Sequence, residues 1–222
     1  MNLQALIAAF RVDAKDRADP PLFEDEDVIA WLNEAQDEAT VRARLVHESA
    51  NAAICEIAVQ AGVSVYVLHQ SLYELDHLVF EPSDGSWPRQ VTLKSAGELD
   101  RSMPDWRRER GFVDHAVQDD KSLRLVRVPA VGGVLRLEGY RLPLVAMEQD
   151  DDVPEIHKAH HRHLVDWALF RAFSVPDADS FDPVRAGKAE AAFATYFGLP
   201  PDSDLRRTSR QDQDHQTVVY QF

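Results

Sequence analysis

The chain has 222 residues, 45% of them hydrophobic, with 24 Lys and Arg against 38 Asp and Glu for a formal charge of −14. That length fits one domain, or one domain with a large insertion, and the apolar content is enough for a sizeable core. The charge argues against binding nucleic acid through a basic surface, the single Cys55 excludes an internal disulfide, and no apolar run approaches the roughly 20 residues of a membrane-spanning helix.

The first residues, MNLQALIAAFRVDAKD, lack the basic start and long apolar stretch of a signal peptide, so a soluble protein made in the cytoplasm is expected. Leu3, Leu6, Ile7 and Phe10 fall at i, i+3, i+4 and i+7, which predicts a short amphipathic helix. A loop with Pro20 and Pro21 follows. The acidic run at 24–27 then suits a helix N-terminus, where negative charge meets the positive end of the macrodipole. Val28, Leu32, Ala35, Ala39, Ala43 and Val46 make one stripe at helical spacing, flanked by Trp31 and Leu45, so a long helix to about Val46 is expected.

After Asn51 the period changes. Residues 54–60, 63–69 and 76–80 are short β-rich runs, separated by turn signals at Gly62 and at Pro82-Ser83-Asp84-Gly85. Cys55, among Ala53, Ile54 and Ile57, reads as a small buried hydrophobe. Residues 89–93 form a weaker strand. Ser95 with Glu98 three residues on predicts a capped short helix over 95–103. Arg107, Arg108 and Arg110 are interleaved with Asp105 and Glu109, a solvated surface rather than a phosphate site. Leu123 and Leu125 alternate with Arg124, and Leu135 and Leu137 with Arg136 and Glu138, across Gly132-Gly133; this predicts a hairpin with one apolar face.

The segment 153–173, VPEIHKAHHRHLVDWALFRAF, is expected to be a central helix. Asp152 and Glu155 have capping-box spacing, and Pro154 falls in the first turn. Its first half is polar and carries His157, His160, His161 and His163. Its second half, with Leu164, Trp167 and Phe170, is apolar nearly all round and belongs in a core. Asp182-Pro183 opens a last helix, whose face of Ala186, Ala189, Ala192, Phe193, Tyr196 and Phe197 ends at Gly198. Leu164, Trp167, Phe170 and Phe193 are the expected scaffold of the core. Residues 203–216 are polar, and 217–222 (TVVYQF) are strongly β-prone.

Little here carries chemistry. His157 and His161, at i and i+4, are the candidates for a metal, but Lys158 stands where a zinc peptidase places Glu after its first histidine. Surface or interface histidines explain the cluster without a metal. No nucleophile elbow, Walker loop or dinucleotide-binding glycine motif is present, and no catalytic residue or cofactor is assigned. Runs of helix, then strands, then helices give an α+β fold, a helical bundle with a mostly β insertion. The expected parts are helices over 1–53, the insertion over 54–147, helices over 148–200 and an extended tail over 201–222.

In order, the opening helix, FEDEDVIAWLNEAQDEATVRARL, the β insert with ELDRSMPDWRRERG and LRLVRVPAVGGVLRLEGYRLPL, the 153–173 segment and DADSFDPVRAGKAEAAFATYFG resemble the head–tail adaptor (connector) proteins of tailed bacteriophages. The likeness covers most of residues 1–198 and lies in packing patterns rather than reactive groups. It implies a virion structural protein at the head–tail junction, assembled in the host cytoplasm. Such a protein forms a twelvefold ring on the portal protein and joins it to tail or nozzle proteins. Genomic DNA passes through without specific binding, and no membrane is involved.

Two features fit that implication on physical grounds. A ring of strongly acidic chains presents a lumen that repels phosphate. A tail ending in Thr217, Val218, Val219, Tyr220 and Phe222 suits strand addition or aromatic anchoring on a partner. The alternatives are a metal-dependent hydrolase using His157 and His161, and a soluble interaction module unrelated to phage.

Overall fold

The computed structural model describes residues 1–176 and 180–201. The 202–222 part of the expected tail, with Thr217, Val218, Val219, Tyr220 and Phe222, lies outside the described residues. The fold is α+β and divides into two compact units, a helical one of residues 1–46 and 141–200 and a β-rich one of residues 47–140.

Among the described residues, the helical unit holds four α-helices. In α1 (Leu3–Ala14) the Asn2 side chain caps the first turn, and Leu3, Leu6, Phe10 and Ala14 are buried. Helix α2 (Asp25–Ala43) starts with three acidic residues and buries Val28, Leu32, Ala35 and Ala39. It stops short of Val46, because Arg44 takes the left-handed conformation at φ 52° and its N–H closes back on Thr40 O. Helix α5 (Leu164–Ser174) and α6 (Pro183–Phe197) complete the bundle. The Asp182 carboxylate caps α6 by accepting from the N–H groups of Val184 and Arg185, with Pro183 in the first turn. Ala186, Ala189, Phe193 and Phe197 turn inward, while Ala192 and Tyr196 of the expected face are exposed.

The expected central helix over 153–173 is corrected. Only its apolar half is α-helical; residues 152–160 are non-helical, irregular at first and a turn over 158–160, and a single 3-10 turn (His161–His163) leads into α5. The capping box does not form. Asp152 Oδ2 accepts backward, from the N–H groups of Glu148 and Gln149 at 2.7 and 2.8 Å. Glu155 is drawn to the Arg141 guanidinium and to the Leu144 N–H at 2.9 Å. Its own N–H donates to Gln36 Oε1 at 2.6 Å. A short polar segment has no apolar stripe to bury, and helix propensity alone does not hold so few turns in water.

The β unit contains β1 (His47–Glu48), β2 (Glu56–Val59), β3 (Val65–Val67), β4 (Leu72–Pro82), β5 (Arg89–Gln90), β6 (Thr92–Leu93), β7 (Arg110–Gly111), β8 (His115–Gln118), β9 (Ser122–Val126), β10 (Val128–Pro129) and β11 (Gly133–Arg141). One sheet runs β1-β11-β4-β5 with β2 also on β11, a second runs β3-β9-β8-β6, and β7 pairs with β10 in parallel. Two short helices belong to the same unit, α3 (Ala52–Cys55), capped by Asn51, and α4 (Ala96–Ser102), capped by the Ser95 hydroxyl through Glu98 N–H. Ile54 and Cys55, expected in a strand, are therefore helical, and both are buried.

The expected hairpin of 123–125 with 135–137 is also corrected. Strand β9 pairs with β8 and β3, whereas β11 pairs with β1, β2 and β4, so the two belong to different sheets. Leu123, Leu125, Leu135 and Leu137 are nonetheless all buried in one core with Leu78 and Phe80. Alternation shows which side chains turn inward, and it carries no information about which strand lies alongside. Gly133 is held by a close approach: a Cβ there would overlap the Glu81 carbonyl and lie 2.9 Å from the Phe80 ring.

Candidate functional site

The histidine segment and the aromatic seam beneath it lie together in the helical unit. Leu164 and Phe193 are fully buried, Trp167 is nearly so, and Phe170 is half-buried against the same cluster. The Trp167 and Phe193 rings meet with centroids 5.0 Å apart, and Phe193 continues to Phe197 at 4.7 Å. Arg42 on α2 lies over this seam, with Cζ 4.9 Å from the Trp167 ring and 5.2 Å from Phe193, while its Nε holds Glu38 at 2.9 Å. This is a packed joint between helices, with a cation covering its rim.

The four histidines have separate surroundings. His161 is buried; its Nε2 donates to Ile156 O at 2.9 Å, and its Nδ1 faces the Met1 backbone, 2.8 Å from the nitrogen and 3.0 Å from the carbonyl oxygen. A ring so engaged joins the turn at 156 to the start of the chain and offers no open nitrogen to a metal. His157 is exposed, with Nδ1 accepting from the Ala159 N–H at 3.3 Å. Because residues 152–160 are not helical, the helical face that would have aligned His157 with His161 does not exist. Among the described residues, no group of three or more His, Cys, Asp or Glu is placed to hold a metal ion.

His160 and His163 face Tyr196 of α6. The His163 ring stacks on Tyr196 with centroids 3.5 Å apart, and His160 Nδ1 is 3.2 Å from the Tyr196 hydroxyl. Burial pushes the His160 pKa down, and the neighbouring His157, His161 and His163 add to this. Burial likewise raises the Asp166 carboxyl, against the opposing pull of His163 and Arg162. His160 and His163 thus join this segment to α6.

Several polar clamps went unread in the sequence. Asn33 and Gln36 of α2 bind the backbone of Met147 and Glu155, more than a hundred residues away in the chain. In the β unit, the Gln118 amide donates to Tyr73 O and accepts from Leu75 N–H, both at 3.1 Å. An amide spends its donor and acceptor wherever a strand or turn leaves backbone unpaired, and no local pattern announces the partner. The turn between β4 and β5 also carries Trp87, 85% exposed, beside Pro88.

A family model described as SU10 adaptor protein matches residues 1–218. The chain belongs to the SU10 adaptor protein family. It is thus a bacteriophage adaptor, a structural protein of the virion, as the resemblance implied. The family match runs through both compact units, so the β unit is part of the adaptor. No curated protein matches the chain. Among the described residues, no helix is long and apolar enough to cross a membrane.

Proposed function

We propose that the protein forms a ring between the portal protein and the tail or nozzle proteins, contributes to the DNA channel, and carries out no catalytic step. The observation that carries this reading is the family match over residues 1–218. The packing of the candidate residues supports it, because the seam of Trp167, Phe193 and Phe197 and the buried His161 are structural contacts. The net charge of −14 suits a channel wall that repels DNA phosphate, so that the genome slides without being trapped. In this reading the ring takes the portal's twelvefold symmetry, and residues 217–222 dock on the portal by strand addition or aromatic anchoring.

Co-sedimentation of the purified chain with portal rings tests the reading, together with quantitative mass spectrometry of purified virions. Saturable binding and about twelve copies per virion are the expected results. A chain absent from virions, or one that never sediments with portal, would overturn it. Removing residues 217–222 is expected to leave the circular dichroism spectrum unchanged and to weaken portal binding; undiminished binding would remove the tail from the proposal.

A further inference from the structure

One surface of the β unit departs from the acidic character of the chain. Trp87 is 85% exposed and Phe112 is 54% exposed, although burial is the usual fate of such large apolar side chains. Arg89, two residues beyond Trp87 in the chain, places its guanidinium 4.2 Å from the centre of the Phe112 ring. Arg110 precedes Phe112 by two residues and is exposed. Among the described residues neither Arg89 nor Arg110 is within ion-pair distance of a carboxylate. Asp84, whose carboxylate feels the Arg89 charge, is held by the hydroxyl and N–H of Ser86.

The turn that carries Trp87 is braced. Ser83 donates to Gly132 O through both its N–H, at 2.9 Å, and its hydroxyl, at 3.0 Å. Gly85 takes φ +82° at the bend. A braced turn presenting Trp87, followed two residues on by Arg89 over the Phe112 ring, with exposed Arg110 two residues before Phe112, has the composition of an interface centre.

The same chain carries a surface of complementary chemistry. In the turn at 148–152, Glu148, Asp150 and Asp151 are exposed, and Asp152 fixes the turn by accepting from the N–H groups of Glu148 and Gln149. Leu3 and Gln4 tie its backbone down by donating to Asp152 O at 2.8 Å and Asp150 O at 3.1 Å. Exposed apolar residues flank it, Val145 at 78% and Val153 at 58%. Acid flanked by apolar surface is what a patch of Arg flanked by Trp and Phe would meet.

We propose that the patch of Trp87, Arg89, Arg110 and Phe112 docks on the acidic turn at 148–152 of a second copy of this chain. Two different surfaces of one molecule that bind each other make a head-to-tail contact, and repeated head-to-tail contacts close into a ring when the rotation allows. The inference supplies a subunit contact for the ring proposed above and rests on that reading for closure. Its charged rim makes the association dependent on ionic strength.

Sedimentation velocity of the full chain over a concentration series at low ionic strength, with circular dichroism to confirm folding, tests it. The wild type should self-associate, less so as salt is added. Trp87→Ala, the pair Arg89→Glu with Arg110→Glu, and the pair Asp150→Lys with Asp151→Lys should each weaken association by roughly tenfold or more. Mixing the two charge-reversed variants should restore hetero-association, since acid then faces lysine again. A wild type that stays monomeric throughout, variants indistinguishable from it, or a mixture no better than its components would overturn the proposal.

Two further results would reassign the patch and overturn the proposal as well. One is loss of binding to a labelled DNA oligonucleotide with self-association intact; the other is loss of portal co-sedimentation with self-association intact. Failure of the wild type to bind portal is a separate result, counting against the adaptor reading alone.

Discussion

Asn33 and Met147 hold each other through both ends of an amide. Asn33 Nδ2 donates to the Met147 carbonyl at 3.0 Å, and Asn33 Oδ1 accepts from the Met147 N–H at 2.8 Å, across 114 residues of chain. Met147 is buried, so its backbone has no solvent to fall back on. Asn33→Ala strands both groups, and a loss of about 2 kcal/mol is expected, since each unmet buried group costs on the order of 1–3 kcal/mol. A urea midpoint unchanged by this substitution would show that the clamp contributes nothing.

Trp167 separates packing from hydrogen bonding. Its indole N–H is buried without a partner among the described residues, while its ring packs on Phe193 and Phe170. Trp167→Ala should cost roughly 3–5 kcal/mol, as large core truncations do. Trp167→Phe keeps a ring and removes the unmet donor, so a cost within about 1.5 kcal/mol is expected. Equal melting temperatures for the two variants would refute the distinction.

Asp16 should make stability depend on acid. Burial alone would raise its pKa, but the Leu22 and Phe23 N–H groups and the Arg11 guanidinium outweigh that and hold it below the usual carboxylate range. A carboxylate depressed in the folded state adds stability that is fully present above its unfolded pKa, near 4, and is lost as pH falls through the lower native value. Asp16→Asn should lower stability by roughly 2 kcal/mol at neutral pH and flatten the acid limb of the stability profile. Parallel acid limbs for wild type and variant would place the acid sensitivity elsewhere.

Two glycines should respond in opposite directions. At Gly133 a methyl group would run into the backbone of Glu81, so Gly133→Ala is expected to cost at least about 1–3 kcal/mol. At Gly187, in the exposed face of α6, a methyl group meets nothing within 4 Å. Gly187→Ala should therefore stabilise by roughly 0.5–1 kcal/mol, because the unfolded chain has less freedom to lose. Chemical denaturation of the two variants side by side decides the signs.

The sequence by itself determined which side chains turn inward, where most helices begin, and the family. Leu3, Leu6 and Phe10 recur at helical spacing, and they are buried as one stripe of α1. Asp182-Pro183 caps α6 where its residue types require. The order of helices and strands was enough to resemble the adaptor family to which the chain belongs. All of these are local or cumulative signals, set by chemistry within a few residues or by their order along the chain.

Tertiary structure alone decided the rest. It separated β9 from β11 into two sheets, because apolar alternation is the same whichever neighbour a strand finds. It also unmade the first half of the expected central helix. Asp152 and Glu155 have the spacing of a cap, but Arg141, Gln36 and the nearby backbone compete for the same atoms and are placed by the fold. The histidines followed suit: His161 was taken into the core by Ile156 and Met1, and His157 was left outside. Spacing states which groups are able to meet, and only packing settles which of the competing partners each one keeps.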